Sequence, residues 1–205
     1  MARTGKIAWI LILFGVVCIV TEIVLGFRIL PLHISVAIGS YFFFLMCIVS
    51  CLFIRKKHAC SIAIASSEVG IANAVLTLVS GSIWAHYAWG VYWVWEPRLT
   101  GMLLTTMFFI SWRLAVGIMG ETAVRNKKLT ASLIILGIPG MFFTHVAVRF
   151  FGGIHPSGTH ALNSAPVLWW AFVLMGVGVA AVSAGMFLYR YAMLFRDEAR
   201  KRKGE

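Results

Sequence analysis

The most distinctive chemistry of this chain lies in one run, WGVYWVWEPRLT, which extends from Trp89 to Thr100. It contains three of the eight tryptophans, and a fourth, Trp84, lies just before it. Aromatic side chains are common anchors at the interface between lipid and water, yet this density exceeds what the anchoring of one hairpin requires. A dense aromatic surface with polar edges suits a large, flat, apolar ligand with charged groups at its rim. The run therefore indicates haem as the candidate ligand.

Spacing within the run predicts which side chains act together. Trp89, Trp93 and Glu96 follow i, i+4, i+7 spacing, so they share one face if the segment is helical. Trp95 would then point elsewhere, towards lipid headgroups. Arg98 carries a fork-shaped guanidinium that suits a carboxylate such as a haem propionate, and a lipid phosphate is the alternative partner.

The composition predicts that the elements carrying this run lie in a membrane. Of the 205 residues, 60% are hydrophobic and only 12% are charged, and the mean hydropathy is +0.90. These values are typical of integral membrane proteins. The first apolar run lacks a clear cleavage site, so we expect it to remain as a helix. We predict one all-α integral membrane domain over residues 1–205, with six transmembrane helices of about 20 residues each, near 7–27, 34–54, 61–83, 99–119, 130–148 and 167–189.

The positions of lysine and arginine predict the orientation of these helices. Most of the 18 basic residues would lie on one side of the membrane, at both termini and in two of the connections. The other side would carry only Arg28, Arg98 and Arg149. By the positive-inside rule both termini are cytoplasmic, and the net charge of +11 reflects topology and attraction to anionic membrane lipid, with no nucleic acid as a partner. Three connections then face outward together, at 28–33, 84–98 and 149–166.

Histidines in the outward-facing connections are candidate ligands of haem iron. His33 ends the first connection and His155 lies in the third, and each follows closely on a helix end that flanks the aromatic run. Two histidines from different connections can approach iron from opposite faces as neutral imidazoles. His86 and His160 also lie outside, and His145 falls near the outer end of the fifth span. For any one of them the alternative is a solvated or hydrogen-bonded ring.

Three ionisable residues, Glu22, Glu68 and Arg113, lie within apolar spans. An ionised group near the centre of a bilayer costs several kcal/mol unless it is paired. Glu68 and Arg113 lie at similar depths, roughly 9–12 Å from the inner ends of adjacent spans, which predicts a structural ion pair. Glu22 is nearer the outer surface, where it is expected to face the same cavity as His33. A proton relay is the alternative role for these groups.

The residues described so far resemble those of the CcmC-type haem-handling proteins of bacterial cytochrome c maturation, which belong to a superfamily named for a WWD domain. The family pattern is similar to W-G-x-W-W-V-W-D-x-R-L-T. This chain matches it at Trp89, Gly90, Trp93, Val94, Trp95, Arg98, Leu99 and Thr100. The preceding VSGSIW (79–84), the Leu32-His33 pair and the stretch from Pro139 to His145 also resemble the family, so the resemblance covers nearly the whole chain.

This resemblance implies a single domain of the cytochrome c assembly (WWD) type with a tryptophan-rich haem-binding segment at 84–100. In the family, two outer histidines are the axial ligands of haem iron, which assigns those roles to His33 and His155. The implied haem-binding residues of the segment are Trp84, Trp89, Gly90, Trp93, Trp95, Glu96 and Arg98. Two positions depart from the family pattern while keeping the chemical type, because Glu96 replaces an aspartate and Tyr92 a common tryptophan.

The resemblance also implies a function: binding of haem b at the periplasmic face of the bacterial inner membrane and its delivery to a periplasmic haem chaperone of the CcmE type. The implied partners are ABC transporter subunits of the CcmA and CcmB types and a small membrane protein of the CcmD type. Such a protein handles haem and is not a conventional enzyme, although it could assist bond formation between haem and the chaperone.

Two other functions remain open from the residues. One alternative is a quinone-linked membrane cytochrome b, which would hold haem between histidines of facing helices, whereas only His145 lies in a predicted span. The other alternative is a small-molecule transporter, which would be expected to show paired Gly- or Pro-broken helices in corresponding halves of the chain.

Overall fold

The computed structural model describes residues 2–26, 29–53, 58–119, 124, 126–151 and 169–203. The first four helices are α1 (Ala2–Gly26), α2 (Ile29–Leu52), α3 (Ala59–Trp89) and α4 (Pro97–Met119). They are followed by α5 (Lys127–Ser132), a π-helical turn (Leu133–Gly137), α6 (Ile138–Phe151) and α7 (Trp169–Lys203). No strand occurs among these residues, so the all-α prediction is confirmed for the described part of the chain.

The prediction of six membrane-crossing helices is confirmed in part. Within the described ranges, five helices are long and apolar enough to cross a membrane, namely α1, α2, α3, α4 and α7. The predicted fifth span, 130–148, lies within the helical path from α5 through the π turn to α6, and Ile135–Thr144 is an apolar stretch described within that path. The π turn Leu133–Gly137 interrupts the regular i to i+4 hydrogen bonding of this path. Six spans are therefore not confirmed, and the orientation of the termini stays a prediction.

Two helix boundaries also differ from the prediction, and both concern candidate ligand-binding residues. Helix α2 begins at Ile29, so His33 lies on the helix and not in a connection. Pro31 does not prevent this, because a proline in the first turn of a helix loses no hydrogen bond. Helix α3 continues to Trp89 and ends where Gly90 adopts a left-handed φ of 77° and donates its N–H to the carbonyl of His86 at 2.9 Å. Such a residue is a common helix terminator.

The helices pack as three pairs: α1 with α7, α2 with α3, and α4 with α6. Helix α3 joins the pairs, because it also contacts α4 and α7. Phe44 of α2 stacks on Phe109 of α4 with ring centroids 3.8 Å apart, and both side chains are fully buried. Where α1 meets α7, a Cβ on Gly178 would lie 3.0 Å from the carbonyl oxygen of Gly15. Small residues of this kind let helix backbones approach closely within lipid.

The ion pair predicted between Glu68 and Arg113 is present and has a third member. Arg113 donates from Nε (2.9 Å) and Nη2 (2.5 Å) to Oε1 of Glu68. Arg190 donates from Nε to Oε2 (2.6 Å) and from Nη2 to Oε1 (3.1 Å) of the same carboxylate. Arg190 lies one residue beyond the predicted end of the sixth span, at 189, but α7 remains helical through this position, and Arg190 reaches Glu68 on α3.

Glu22 is 2% exposed on α1. Within the described part of the chain its Oε2 has no hydrogen-bond partner. Its orientation towards the cavity of His33 stays a prediction.

Candidate functional site

A hydrogen bond to helix α3 orients the imidazole of His33. Its Nδ1 lies 3.1 Å from the carbonyl oxygen of Thr77 and 3.4 Å from Oγ of Ser80. A carbonyl oxygen can only accept a hydrogen bond, so Nδ1 carries the proton and Nε2 carries the lone pair of the neutral ring. Histidines that bind metals through one nitrogen typically donate from the other to a carbonyl or carboxylate. The ring therefore has the tautomer that an iron ligand at Nε2 requires.

Gly81 provides the space that this ring occupies. A Cβ at position 81 would stand 2.7 Å from Cε1 and 3.0 Å from Nδ1 of His33, which is closer than van der Waals contact allows. Gly81 also lies three residues before Trp84 on α3, and residues with that spacing are neighbours on one helix face. The His33 ring is thus packed on the helix that leads directly into the tryptophan-rich segment.

We predict that Gly81→Ala displaces the His33 ring and weakens haem binding by about tenfold. This is the smallest loss of affinity that is typical when a group supporting a metal ligand is removed. The reason is the Cβ contact with Cε1, which requires the ring or α2 to move. Gly176→Ala is the matched control, because a Cβ there would meet only Oγ of Ser35 at 3.8 Å. Haem titration of the purified variants measures the effect. Wild-type affinity in Gly81→Ala would contradict the importance of this packing.

Beyond Gly90 the chain folds back along the end of α3. The hydroxyl of Ser82 donates to the carbonyl of Tyr92 at 2.7 Å. The ring of His86 stacks on that of Tyr92, with centroids 4.1 Å apart and an interplanar angle of 4°. These two contacts could not be predicted from the sequence, because residues ten and six positions apart across a chain reversal leave no periodic pattern.

The tryptophans form two edge-to-face pairs. Trp84 and Trp89, in the last turns of α3, have ring centroids 5.0 Å apart, and Trp93 and Trp95, in the non-helical stretch, are 5.5 Å apart. Trp89, Trp93 and Glu96 were predicted to share one face if the segment is helical, and this condition is not met, because Gly90 ends the helix between Trp89 and Trp93. Trp95 is 76% exposed. The Nε1 of Trp93 is buried, and none of the described residues accepts a hydrogen bond from it.

The end of the segment connects it to α4 and α6. Glu96 is 5% exposed, and its carbonyl accepts the N–H of Thr100 at 3.0 Å in the first turn of α4. Arg98 donates from Nε to the carbonyl of Thr144 at 3.2 Å, and the hydroxyl of Thr144 lies 2.5 Å from that of Tyr41. Arg98 therefore has a structural contact that the sequence analysis did not predict, and its role towards a carboxylate stays a prediction.

The structure brings part of the predicted site together. His33 and the residues from Trp84 to Arg98 lie at the same end of α3. His155, the predicted second ligand, lies outside the described residues, as do His160 and Arg28. Of His145 and Arg149 on α6, only the backbone is described.

Comparison with known proteins identifies the family of this chain. The family model of CcmC, "Heme exporter protein C", matches residues 7–204. The chain belongs to this family. It is 29% identical to heme exporter protein C of Paracoccus denitrificans, over 99% of this chain and 90% of that protein. It is 25% identical to the Escherichia coli protein of the same name, over 80% and 69%. A cytochrome c biogenesis protein CcsA of Synechococcus is 33% identical over 44% of this chain and 25% of its own length.

Membership in the CcmC family confirms the resemblance inferred from the sequence. The family name indicates haem handling, and the five long apolar helices within the described ranges agree with a membrane protein.

Proposed function

We propose that this CcmC-family protein binds haem b at the periplasmic face of the inner membrane and delivers it to a periplasmic haem chaperone of the CcmE type during cytochrome c biogenesis. The observation that carries the proposal is the 3.1 Å hydrogen bond from His33 Nδ1 to the Thr77 carbonyl. Because this bond places the proton on Nδ1, Nε2 keeps the lone pair that an iron ligand needs. The ring packs on Gly81, about one helical turn before Trp84, where the tryptophan-rich segment begins. His155 is the proposed ligand on the opposite face of the haem.

The chemistry of the segment fits a large planar molecule with anionic edges. Two edge-to-face tryptophan pairs supply aromatic surface. The buried Nε1 of Trp93 is a donor for which no described residue is an acceptor, and a buried donor without an acceptor is costly. A haem propionate would supply that acceptor, and Arg98 is the second proposed contact for a propionate.

Delivery requires that the bound haem remain accessible to the protein that receives it. Trp95 and Tyr87 are largely exposed at this end of the structure, which supports an open edge towards a partner. We assign release of haem from this edge to the chaperone, with ABC transporter subunits of the CcmA and CcmB types and a CcmD-type membrane protein as further partners.

The test of this function is transfer of haem by the complete chain. Purified from cells that make haem, the protein is expected to carry haem with the absorption spectrum of bis-histidine ligation and to lose it to an added haem-free CcmE-type chaperone. Absence of both haem and transfer would refute the proposal. Haem that stays on the protein and is reduced by a quinol would instead indicate a cytochrome b.

We predict that Trp93→Phe lowers haem retention roughly ten- to hundredfold, because it keeps an aromatic ring but removes the N–H proposed to bind a charged propionate. Haem content per purified chain and the rate of loss to apomyoglobin measure the effect. Trp9→Phe is the matched control at the other end of the structure, where the Trp9 ring packs against Tyr189 at 5.8 Å. Equal retention in the two variants would exclude a donor role for Trp93.

A further inference from the structure

We propose that a groove between α3 and α4 binds one anionic phospholipid of the cytoplasmic leaflet. The groove has a volume of about 580 Å³ and opens to the outside of the helices. Its walls include Glu68 and Ile71 of α3, and Ile110, Arg113, Leu114 and Gly117 of α4. Glu68 lies about 20 Å from Gly81 along the axis of α3, so this groove is distinct from the haem site.

The charged cluster beside the groove joins two arginines through one carboxylate. The carboxylate of Glu68 accepts hydrogen bonds from the guanidinium groups of Arg113 and Arg190. Asp197 also attracts Arg190, so Arg113, which shares Glu68 with Arg190, is the less compensated of the two arginines. A charge in or near lipid is costly unless it is compensated. An anion from outside the chain would complete the compensation.

Arg113 retains donors on the groove side for such an anion. Its hydrogen bonds to Glu68 use Nε and Nη2. Its Nη1 lies 3.6 Å from the position that a Cβ on Gly117 would occupy. Arg113 and Gly117 both line the groove, and because Gly117 has no side chain, a ligand there can approach Nη1. A guanidinium offers five N–H donors in a planar fork that matches phosphate oxygens.

The rest of the groove suits acyl chains. Leu114 and Ile118, which also line it, are 63% and 87% exposed in the structure. A free phosphate would use none of this apolar surface, whereas a phospholipid would use both the cation and the walls. The cluster also lies at the end of the structure that the positive-inside rule places in the cytoplasm. Basic pockets between transmembrane helices on that side are typical sites for anionic lipid headgroups.

The decisive variant is Gly117→Leu, which fills the groove without changing any charge. Native mass spectrometry of the complete chain in detergent, titrated with phosphatidylglycerol, should show one lipid bound per wild-type chain. Gly117→Leu is expected to weaken this binding at least about tenfold, because a branched side chain would cover Nη1 of Arg113. Gly5→Leu is the matched control at the same end of the structure, since nothing lies within 4 Å of a Cβ there.

A second variant tests the charge while keeping the ion pair between α3 and α4. Arg190→Gln leaves Glu68 bonded to Arg113 and removes one positive charge from the cluster. It should lower the preference for phosphatidylglycerol over phosphatidylcholine about fivefold.

Several results would overturn the proposal. One is equal binding of the two lipids by the wild-type protein. Another is unchanged phosphatidylglycerol binding in Gly117→Leu. Competition by inorganic phosphate at the same concentration would assign the site to a free anion. Loss of a partner subunit from Gly117→Leu, with lipid binding intact, would assign the groove to a protein helix.

Discussion

The His33→Ala variant is expected to fold and insert but to lose at least about 100-fold in haem affinity. Removal of a group that only supports a metal ligand lowers affinity by about 10- to 100-fold, and removal of the ligand itself should cost at least the upper value. The substitution removes the only nitrogen that the hydrogen bond to Thr77 prepares as an iron ligand, while α2 and α3 keep their other contacts. The measurements are haem content per purified chain and the absorption spectrum, which should change from low-spin bis-histidine ligation to that of a weakly ligated iron.

Three further variants make this result specific. His33→Gly with added imidazole should recover part of the low-spin spectrum, because the free ligand can enter the space left on Gly81. His58→Ala, at the opposite end of α3, should bind haem as the wild type does. His155→Ala should resemble His33→Ala. If His33→Ala kept the wild-type spectrum and haem content, His33 would not be an axial ligand.

The second large effect is expected for Glu68→Gln, which removes the carboxylate that is hydrogen-bonded to both Arg113 and Arg190. An uncompensated arginine at the centre of a membrane helix costs on the order of 2.5–3.5 kcal/mol. The cost here is smaller, because both arginines lie nearer the inner end of their helices and long side chains can reach the interface. We expect a marked fall in the yield of folded protein and in its thermal midpoint. Extraction into mild detergent followed by size-exclusion chromatography and thermal unfolding would measure both.

The structure predicts an order of effects within this cluster. Arg113→Gln should be milder than Glu68→Gln, because Arg190 still pairs with the carboxylate through Nε at 2.6 Å. The exchanged pair, Glu68→Arg with Arg113→Glu, should recover much of the yield. Equal losses in all three proteins would contradict a stabilising ion pair.

The Glu68–Arg113 pair shows why part of this fold could be predicted. Both residues lie on helices that are consecutive in the chain, and a helix rises by a constant amount per residue, so counting residues gives their depth. The hydrogen bond of Arg190 to Glu68 could not be predicted by counting residues in this way. Arg190 lies near the membrane boundary, where hydropathy alone does not separate a helix that continues from a cytoplasmic tail.

The contacts of the candidate site, in contrast, could not be predicted from the sequence. His33 and Thr77 are 44 positions apart, and their hydrogen bond depends on how α2 packs against α3. Likewise Arg98 and Thr144 are 46 positions apart. Their contact depends on the pairing of α4 with α6, and no local pattern in either segment indicates it. The reversal at Gly90 separated residues that i, i+4, i+7 spacing had placed on one face.

By itself, the sequence determined that this chain is helical, that most of its helices are apolar enough to cross a membrane, and that its tryptophan-rich motif is that of the CcmC family. These properties depend on composition and on residue types within short windows. Only the tertiary structure decided the tautomer of His33, the fold-back of the aromatic segment onto α3 and the second arginine on Glu68. Each of these depends on distances between atoms of different helices, which are set by packing and not by spacing along the chain.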